Sequence, residues 1–330
     1  MTDRKKDHID LAFRSQTEES LIDGRFYYEP FIDSHPKKEL KPFTFLGKEM
    51  RTPIWVSSMT GGTKLASKIN ANLARACAEF GMGMGLGSCR SLLDSDKHLR
   101  DFDVRHIMGL DLPLYANLGI CQLEELINSN ELQKVSDLVV KLRADGLIIH
   151  VNPMQEWLQP EGDRIFQSPI KSIKELLNHV DFPIIVKEVG QGFGPNSIEQ
   201  LLKLPLQAIE FAAFGGTNFA KIEMLRNPEV EVQLFEPLAK IGHSAEQMLN
   251  WTNEIVENSK DIKCEEIIIS GGIRSFIDGF YLMEKSKLSA IYGQASELLK
   301  YARESYEDLQ KYLYTQIEGL KISKTYLKLK

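Results

Sequence analysis

The chain has 330 residues, 43% of them hydrophobic, and its 40 basic and 46 acidic side chains give a net charge of −6. That is the composition of a globular protein rather than a disordered or membrane one. The charge predicts no general affinity for nucleic acid or anionic membrane, so a small anionic ligand would need a local basic cluster.

The N-terminus, "MTDRKKDHIDLAF", is basic, but no apolar stretch comes after it. No later window approaches the ~18 uninterrupted apolar residues of a membrane span, so the expectation is a cytoplasmic protein. Cys77, Cys89, Cys121 and Cys264 are far apart with no CxxC pair, which predicts reduced thiols and neither zinc nor a disulfide framework.

In chain order, "FTFLGKEM" reads as a hairpin that could cap the bottom of a barrel. Eight short β-rich runs come next: "PIWVSS", "GMGMGLG", "PLYANLG", "GLIIHVN", "PIIVKEV", "AIEFAAF", "EIIISGG" and "AIYGQA". Helical spacings separate them. Leu65, Ile69, Leu73, Ala76 and Phe80 recur every three or four residues between the first two runs. Leu132, Val135, Val139 and Leu142 do so after the third, and Ile173, Leu176, Leu177 and Val180 before the fifth. Ile198, Leu201 and Leu202 come after the fifth, and Ala245, Met248, Leu249 and Ile255 precede the seventh.

Parallel strands need crossovers, and eight of them close without leaving an edge, so the pattern predicts a TIM (β/α)8 barrel with an N-terminal extension. A doubly wound open sheet fits less well, because no GxGxxG opens a helix after the first strand. The division expected is an extension and closing arm over 1–50, the barrel over 51–303, and a C-terminal helix with a basic tail over 304–330. The long connection from Thr217 to Ile262 is expected to shape a pocket or lid.

Polar residues at the C-terminal ends of barrel strands point into the active site. Here those ends read "SSMTGG", "GSCR", "NLG", "HVNPMQE", "KEVGQG", "FGGTN", "SGGIR" and "GQAS". The seventh and eighth offer glycine-rich turns where barrels commonly hold a phosphate, with ordinary βα turns as the alternative. Lys187 ends an apolar strand and needs an electron-rich partner such as a flavin or phosphate; Glu188, on the opposite face, is poorly placed to be that partner. Arg90 can grip a phosphate bidentately, and an N-terminal arm carrying Arg4, Lys5 and His8 could close over it, though a solvated basic terminus is the plainer reading.

His150, Asn152, Gln155 and Glu156 fall at the mouth, with Pro153 fixing the turn. A single carboxylate there suits magnesium shared with substrate phosphates. A helix-start charge is the alternative for Glu156, and a loop amide for Gln155. Trp157 and the "QPEGD" turn are read as shaping the loop.

"RKKDHI", "SSMTGG", "GSCR", "NPMQE" with "QPEGD", "KEVG", "GGTNF", "SGGIR" and "GQAS" occur in an order and spacing that closely resembles type 2 isopentenyl-diphosphate isomerase, the FMN-dependent form, over about residues 4–300. The resemblance implies interconversion of isopentenyl and dimethylallyl diphosphates with reduced FMN, Mg2+, and NADPH to keep the flavin reduced. On matching positions it implies FMN contacts from Ser58, Met59, Thr60, Ser88, Asn117, Lys187, Thr217, Gly272, Ile273, Arg274, Ala295 and Ser296.

It further implies a diphosphate substrate met by Arg4, Lys5, His8, Ser88, Arg90, Asn152 and Gln155, with Gln155 and His150 nearest the chemistry and Glu156 on magnesium. A homo-oligomer of tetramer or octamer type is implied as well. Cys89 and "GQGFGP" depart from the family's usual residues. The runner-up is an FMN-dependent 2-hydroxy-acid oxidoreductase, which would require a histidine after a late strand; "FGGTN" and "SGGIR" have none. A flavin-binding protein without turnover is the third reading.

Overall fold

The structure is a computed structural model that describes residues 4–37, 39–58, 64–227 and 229–330. Eight parallel strands close into a barrel, one from each of the eight β-rich runs: Ile54–Val56, Gly83–Gly85, Leu114–Gly119, Gly146–His150, Ile184–Lys187, Ala208–Glu210, Glu266–Ser270 and Ser289–Gln294. The ring closes where Tyr292, Gly293 and Gln294 pair with Ile54, Trp55 and Val56. The fold is therefore the expected TIM barrel.

Two layers of side chains fill the ring, because alternate strand residues face inward. The lower layer is apolar: Trp55, Tyr115, Ile148, Ile185, Ala208, Ile268 and Ile291 pack together. The second strand contributes space instead. A Cβ on Gly83 would lie 2.5 Å from the Trp55 indole. Two residues further along, the inward positions turn polar at Ser57, Asn117, His150, Lys187, Glu210 and Ser270 and are glycine at Gly85 and Gly293, and this belt is the floor of the upper mouth.

Beneath, the hairpin of Phe43–Phe45 and Lys48–Met50 inserts Phe45, Leu46 and Met50 into the apolar layer. Its turn is tied to strand starts, since Leu46 N donates to the Glu266 carboxylate at 3.0 Å and Lys48 Nζ to Asp145 at 2.6 Å.

Helices Lys64–Phe80, Gln133–Lys141, Pro169–His179, Pro195–Leu202 and Ala245–Asn258 bear out the periodic segments, except that Leu65 is exposed while Ala66 and Ile69 face the core. The second crossover has no long helix. Two one-turn helices, Leu99–Phe102 and Arg105–Met108, replace it, anchored by the buried Arg105, which bonds Asp145 and the Arg143, Gly109 and Leu112 carbonyls.

After the C-terminal helix Tyr306–Tyr326 comes a strand, Leu327–Leu329, that pairs antiparallel with Phe26–Tyr28 and so ties the two chain ends together. All four cysteines are buried and free. No helix among the described residues is long and apolar enough to cross a membrane.

Candidate active site

A cleft opens at the C-terminal ends of the strands. Ser58, Lys187, Thr217, Gly272, Ile273, Arg274, Ala295 and Ser296, all named from sequence as cofactor contacts, line it. Met59 and Thr60 lie outside the described residues. Asn117 and Ser88 do not line this cleft: Asn117 is buried in the belt and Ser88 is exposed after the second strand.

The cleft wall beyond the sixth and seventh strands is bare backbone. Gly271 sits at φ +90°, and a Cβ there would lie 2.1 Å from the Ala213 carbonyl oxygen, so only glycine allows the two loops to meet. The Ser57 and Ser58 hydroxyls are buried and find no hydrogen-bond partner among the described residues. A native structure leaves such groups for a ligand or water.

Lys187 donates to the Glu188 carbonyl at 2.8 Å. Its carboxylate partner is Glu210, at 4.0 Å across the floor. The Glu188 carboxylate turns away, as strand alternation requires, and collects the amides of Gly190, Gln191 and Gly192. Glu210 was missed from sequence, although the signal was available: it sits two residues past an inward apolar position, as Lys187 does.

His150 Nδ1 lies 2.7 Å from Asn117 Oδ1, and Asn117 Nδ2 donates to the Leu86 carbonyl at 2.9 Å. The second bond fixes which end of the amide faces the ring. Nδ1 therefore carries the proton, and Nε2 presents a lone pair. Burial, reinforced by the Lys187 charge, pushes His150 down to about 3, so the imidazole is neutral near pH 7.

Beside the cleft, Pro153 opens the short helix Pro153–Leu158, and Asn152 organises it from the N-cap. Asn152 Nδ2 reaches Gln155 Oε1 and Glu156 Oε1, both at 3.0 Å, while its Oδ1 is buried with no hydrogen-bond partner among the described residues. Glu156 Oε2 accepts the Asp163 amide at 2.9 Å.

The long insertion then completes the cluster. Its helix Phe219–Arg226 packs Ala220 and Met224 on Leu158, which brings Glu223 Oε1 within 3.0 Å of Gln155 Nε2. Sequence reasoning missed Glu223. It also read "QPEGD" as loop shape alone, whereas Asp163 holds Arg90 at 2.8 Å and accepts from Gln122 at 3.0 Å.

The structure does not bring Arg4, Lys5 and His8 to this cluster. They lie on the helix Arg4–Leu11, which has no buried residue. His243, beyond the sixth strand, faces a separate groove and sets its ring edge-on to Trp251 at 5.0 Å. It does not line the cleft, so it does not supply the late-strand base that a 2-hydroxy-acid oxidoreductase would require.

No family model matches the chain. Among solved structures, a mandelate oxidase variant with a monooxide FMN adduct superposes with a TM-score of 0.57 at 13% identity, covering 93% of this chain and 88% of that one. A flavocytochrome b2 mutant with pyruvate bound superposes with a TM-score of 0.63 at 15% identity, covering 90% of this chain and 70% of that one. At such identities the likeness is one of fold.

Sequence relatives are much nearer. The isopentenyl-diphosphate delta-isomerase of Rickettsia typhi is 34% identical over 326 residues, covering 97% of this chain and 92% of that protein. The enzyme of the same name from Rickettsia africae is 35% identical over 327 residues with the same coverage. On this similarity along nearly its whole length, the chain belongs to the isopentenyl-diphosphate delta-isomerase family.

Proposed function

We propose that this protein interconverts isopentenyl diphosphate and dimethylallyl diphosphate, using reduced FMN bound in the cleft, Mg2+ at Glu156, and NADPH as the reductant. The observation that carries the reading is the join of two sites: a glycine-walled cleft floored by Lys187 and Glu210, opening beside the Asn152–Gln155–Glu156–Glu223 cluster.

The cleft fits FMN. The Ser57 and Ser58 hydroxyls have no partner among the described residues, Lys187 supplies a cation for an electron-rich ring edge, and the bare turns at Gly215, Gly216, Gly271 and Gly272 admit a phosphate to backbone amides near Arg274. When bound, reduced FMN supplies the proton donor and acceptor that a weakly basic alkene requires, chemistry for which ordinary side chains are poorly matched.

The chain's own residues then bind, orient and exclude water. Arg90 would take a diphosphate oxygen in place of Asp163, or share it with Asp163 through the loop. His150 is neutral, so it offers its Nε2 lone pair as an acceptor rather than an acid. Gln155 is held at both ends, by Asn152 and Glu223, and presents a fixed neutral amide to the substrate chain.

Among the described residues no group of three or more His, Cys, Asp and Glu is placed to cage a metal. Glu156, a single carboxylate held by Asn152 and the Asp163 amide, suits an ion that keeps waters and shares substrate phosphates, as magnesium does. Arg4, Lys5 and His8 would act by closure of the N-terminal arm. Ile9, Phe13, Leu21, Ile22 and Phe31 on that segment are exposed apolar surface that a tetramer or octamer would cover.

The test is anaerobic incubation of the purified protein with FMN, NADPH, Mg2+ and isopentenyl diphosphate. Dimethylallyl diphosphate is the expected product, and its absence with fully reduced flavin would overturn the reading.

A further inference from the structure

Glu210 stands out among the belt residues. Its side chain has no solvent exposure, it lines the cleft, and it sits 4.0 Å from Lys187. One oxygen, Oε1, lies 3.2 Å from the Ser270 hydroxyl, and that hydroxyl also receives the Ala212 amide at 2.9 Å. With the Ala212 N–H as donor, the hydroxyl proton is left for Glu210. The other oxygen, Oε2, is buried with no hydrogen-bond partner among the described residues.

Ala212 itself is held at φ +43°, a region an L residue seldom occupies. The bond to Ser270 thus holds a strained turn and tethers the carboxylate in one stroke. A buried carboxylate with a half-satisfied head is expensive unless it acts on a neighbouring charge.

We propose that Glu210 is a positioning residue that works through Lys187. Across 4.0 Å it offsets the charge of the ammonium that the Glu188 carbonyl holds, and so would set the midpoint potential of a flavin bound in the cleft low enough to keep the reduced form electron-rich. This rests on the FMN reading of the cleft.

The offset is electrostatic, so it can be separated from shape. Glu210→Gln keeps the volume and an oxygen for Lys187 but removes the negative charge. Ser270→Ala keeps the charge and removes the donor that partly neutralises it. The two variants should therefore move the potential in opposite directions.

The experiment is dye-equilibrated reductive titration of the FMN-loaded wild-type chain and both variants, with FMN occupancy read from absorbance. Glu210→Gln should favour the reduced flavin about tenfold, an upward shift of about 30 mV for the two-electron couple, and Ser270→Ala should shift it downward by a smaller amount. In turnover, Glu210→Gln should lower kcat about tenfold and leave KM for isopentenyl diphosphate within about twofold.

Normal FMN binding with an unmoved potential in Glu210→Gln, or shifts of the same sign in both variants, would overturn the proposal. If Glu210→Gln does not fold, the sign of the Ser270→Ala shift decides it alone. A wild-type chain that takes up no FMN would instead overturn the parent reading, and this one with it.

Discussion

The neutral state of His150 has a measurable consequence for stability. In the unfolded chain the imidazole titrates near its ordinary value of 6.5, whereas in the fold burial and the Lys187 charge push it down to about 3. Between those values the unfolded chain binds a proton that the folded chain refuses, so stability is fully present above 6.5 and drains away as pH falls toward 3. At pH 5, about 1.5 pH units below the unfolded value, the loss is about 2 kcal/mol, at ~1.36 kcal/mol per unit.

His150→Gln removes the titration while its side-chain amide can still donate to Asn117 Oδ1. Urea unfolding of both proteins at pH 7.5 and pH 5, monitored by circular dichroism with the same cofactor load, isolates the histidine because every other group titrates in both. The wild-type chain should lose about 2 kcal/mol more than the variant between the two conditions. Equal losses would mean that the fold takes up a proton at His150 as readily as the unfolded chain does, and the neutral Nε2 acceptor assigned to it would fall.

Glu156→Gln should weaken the Mg2+ dependence and lower the activity while FMN stays bound, as read by flavin absorbance and a Mg2+ titration of turnover; loss of the flavin would place Glu156 in the wrong site. Arg4→Ala should raise the KM for isopentenyl diphosphate, and an unchanged KM would show that the exposed helix Arg4–Leu11 does not close over the substrate. Phe45→Ala, which empties the hairpin's plug from the lower barrel layer, should destabilise the fold by about 3–5 kcal/mol in urea unfolding. A loss below about 1 kcal/mol would mean the hairpin only rests on the barrel.

The parts of this molecule legible in the sequence are those governed by short-range periodicity. The eight strands were visible because each is an apolar run ending in polar or glycine residues, and the cleft residues were visible with them because a parallel barrel puts every such end on one face. The second crossover was not visible, since "SLLDSDKHLRDFDVRHIMGLD" carries no sustained helical repeat and folds as two single turns around Arg105. Nor was the terminal strand: Leu327–Leu329 is three residues long, and its partner, Phe26–Tyr28, lies almost a full chain length away.

The site divides along the same line. Glu210 could have been found by carrying strand parity one step past Ala208, as Ile185 leads to Lys187, because both facts are local to a strand. Glu223 could not. It reaches Gln155 only because Ala220 and Met224 seat one helix of the long insertion on Leu158, a contact between segments 68 residues apart that no spacing within either segment encodes.

Asp163 belongs with Glu223, since its hold on Arg90 depends on two loops that lie beyond different strands. The floor of the cleft is thus written in strand parity, and its substrate side in the packing of insertions. Substitutions in the insertion that retain Glu223 and keep Ala220 and Met224 seated should leave the Gln155–Glu223 contact in place.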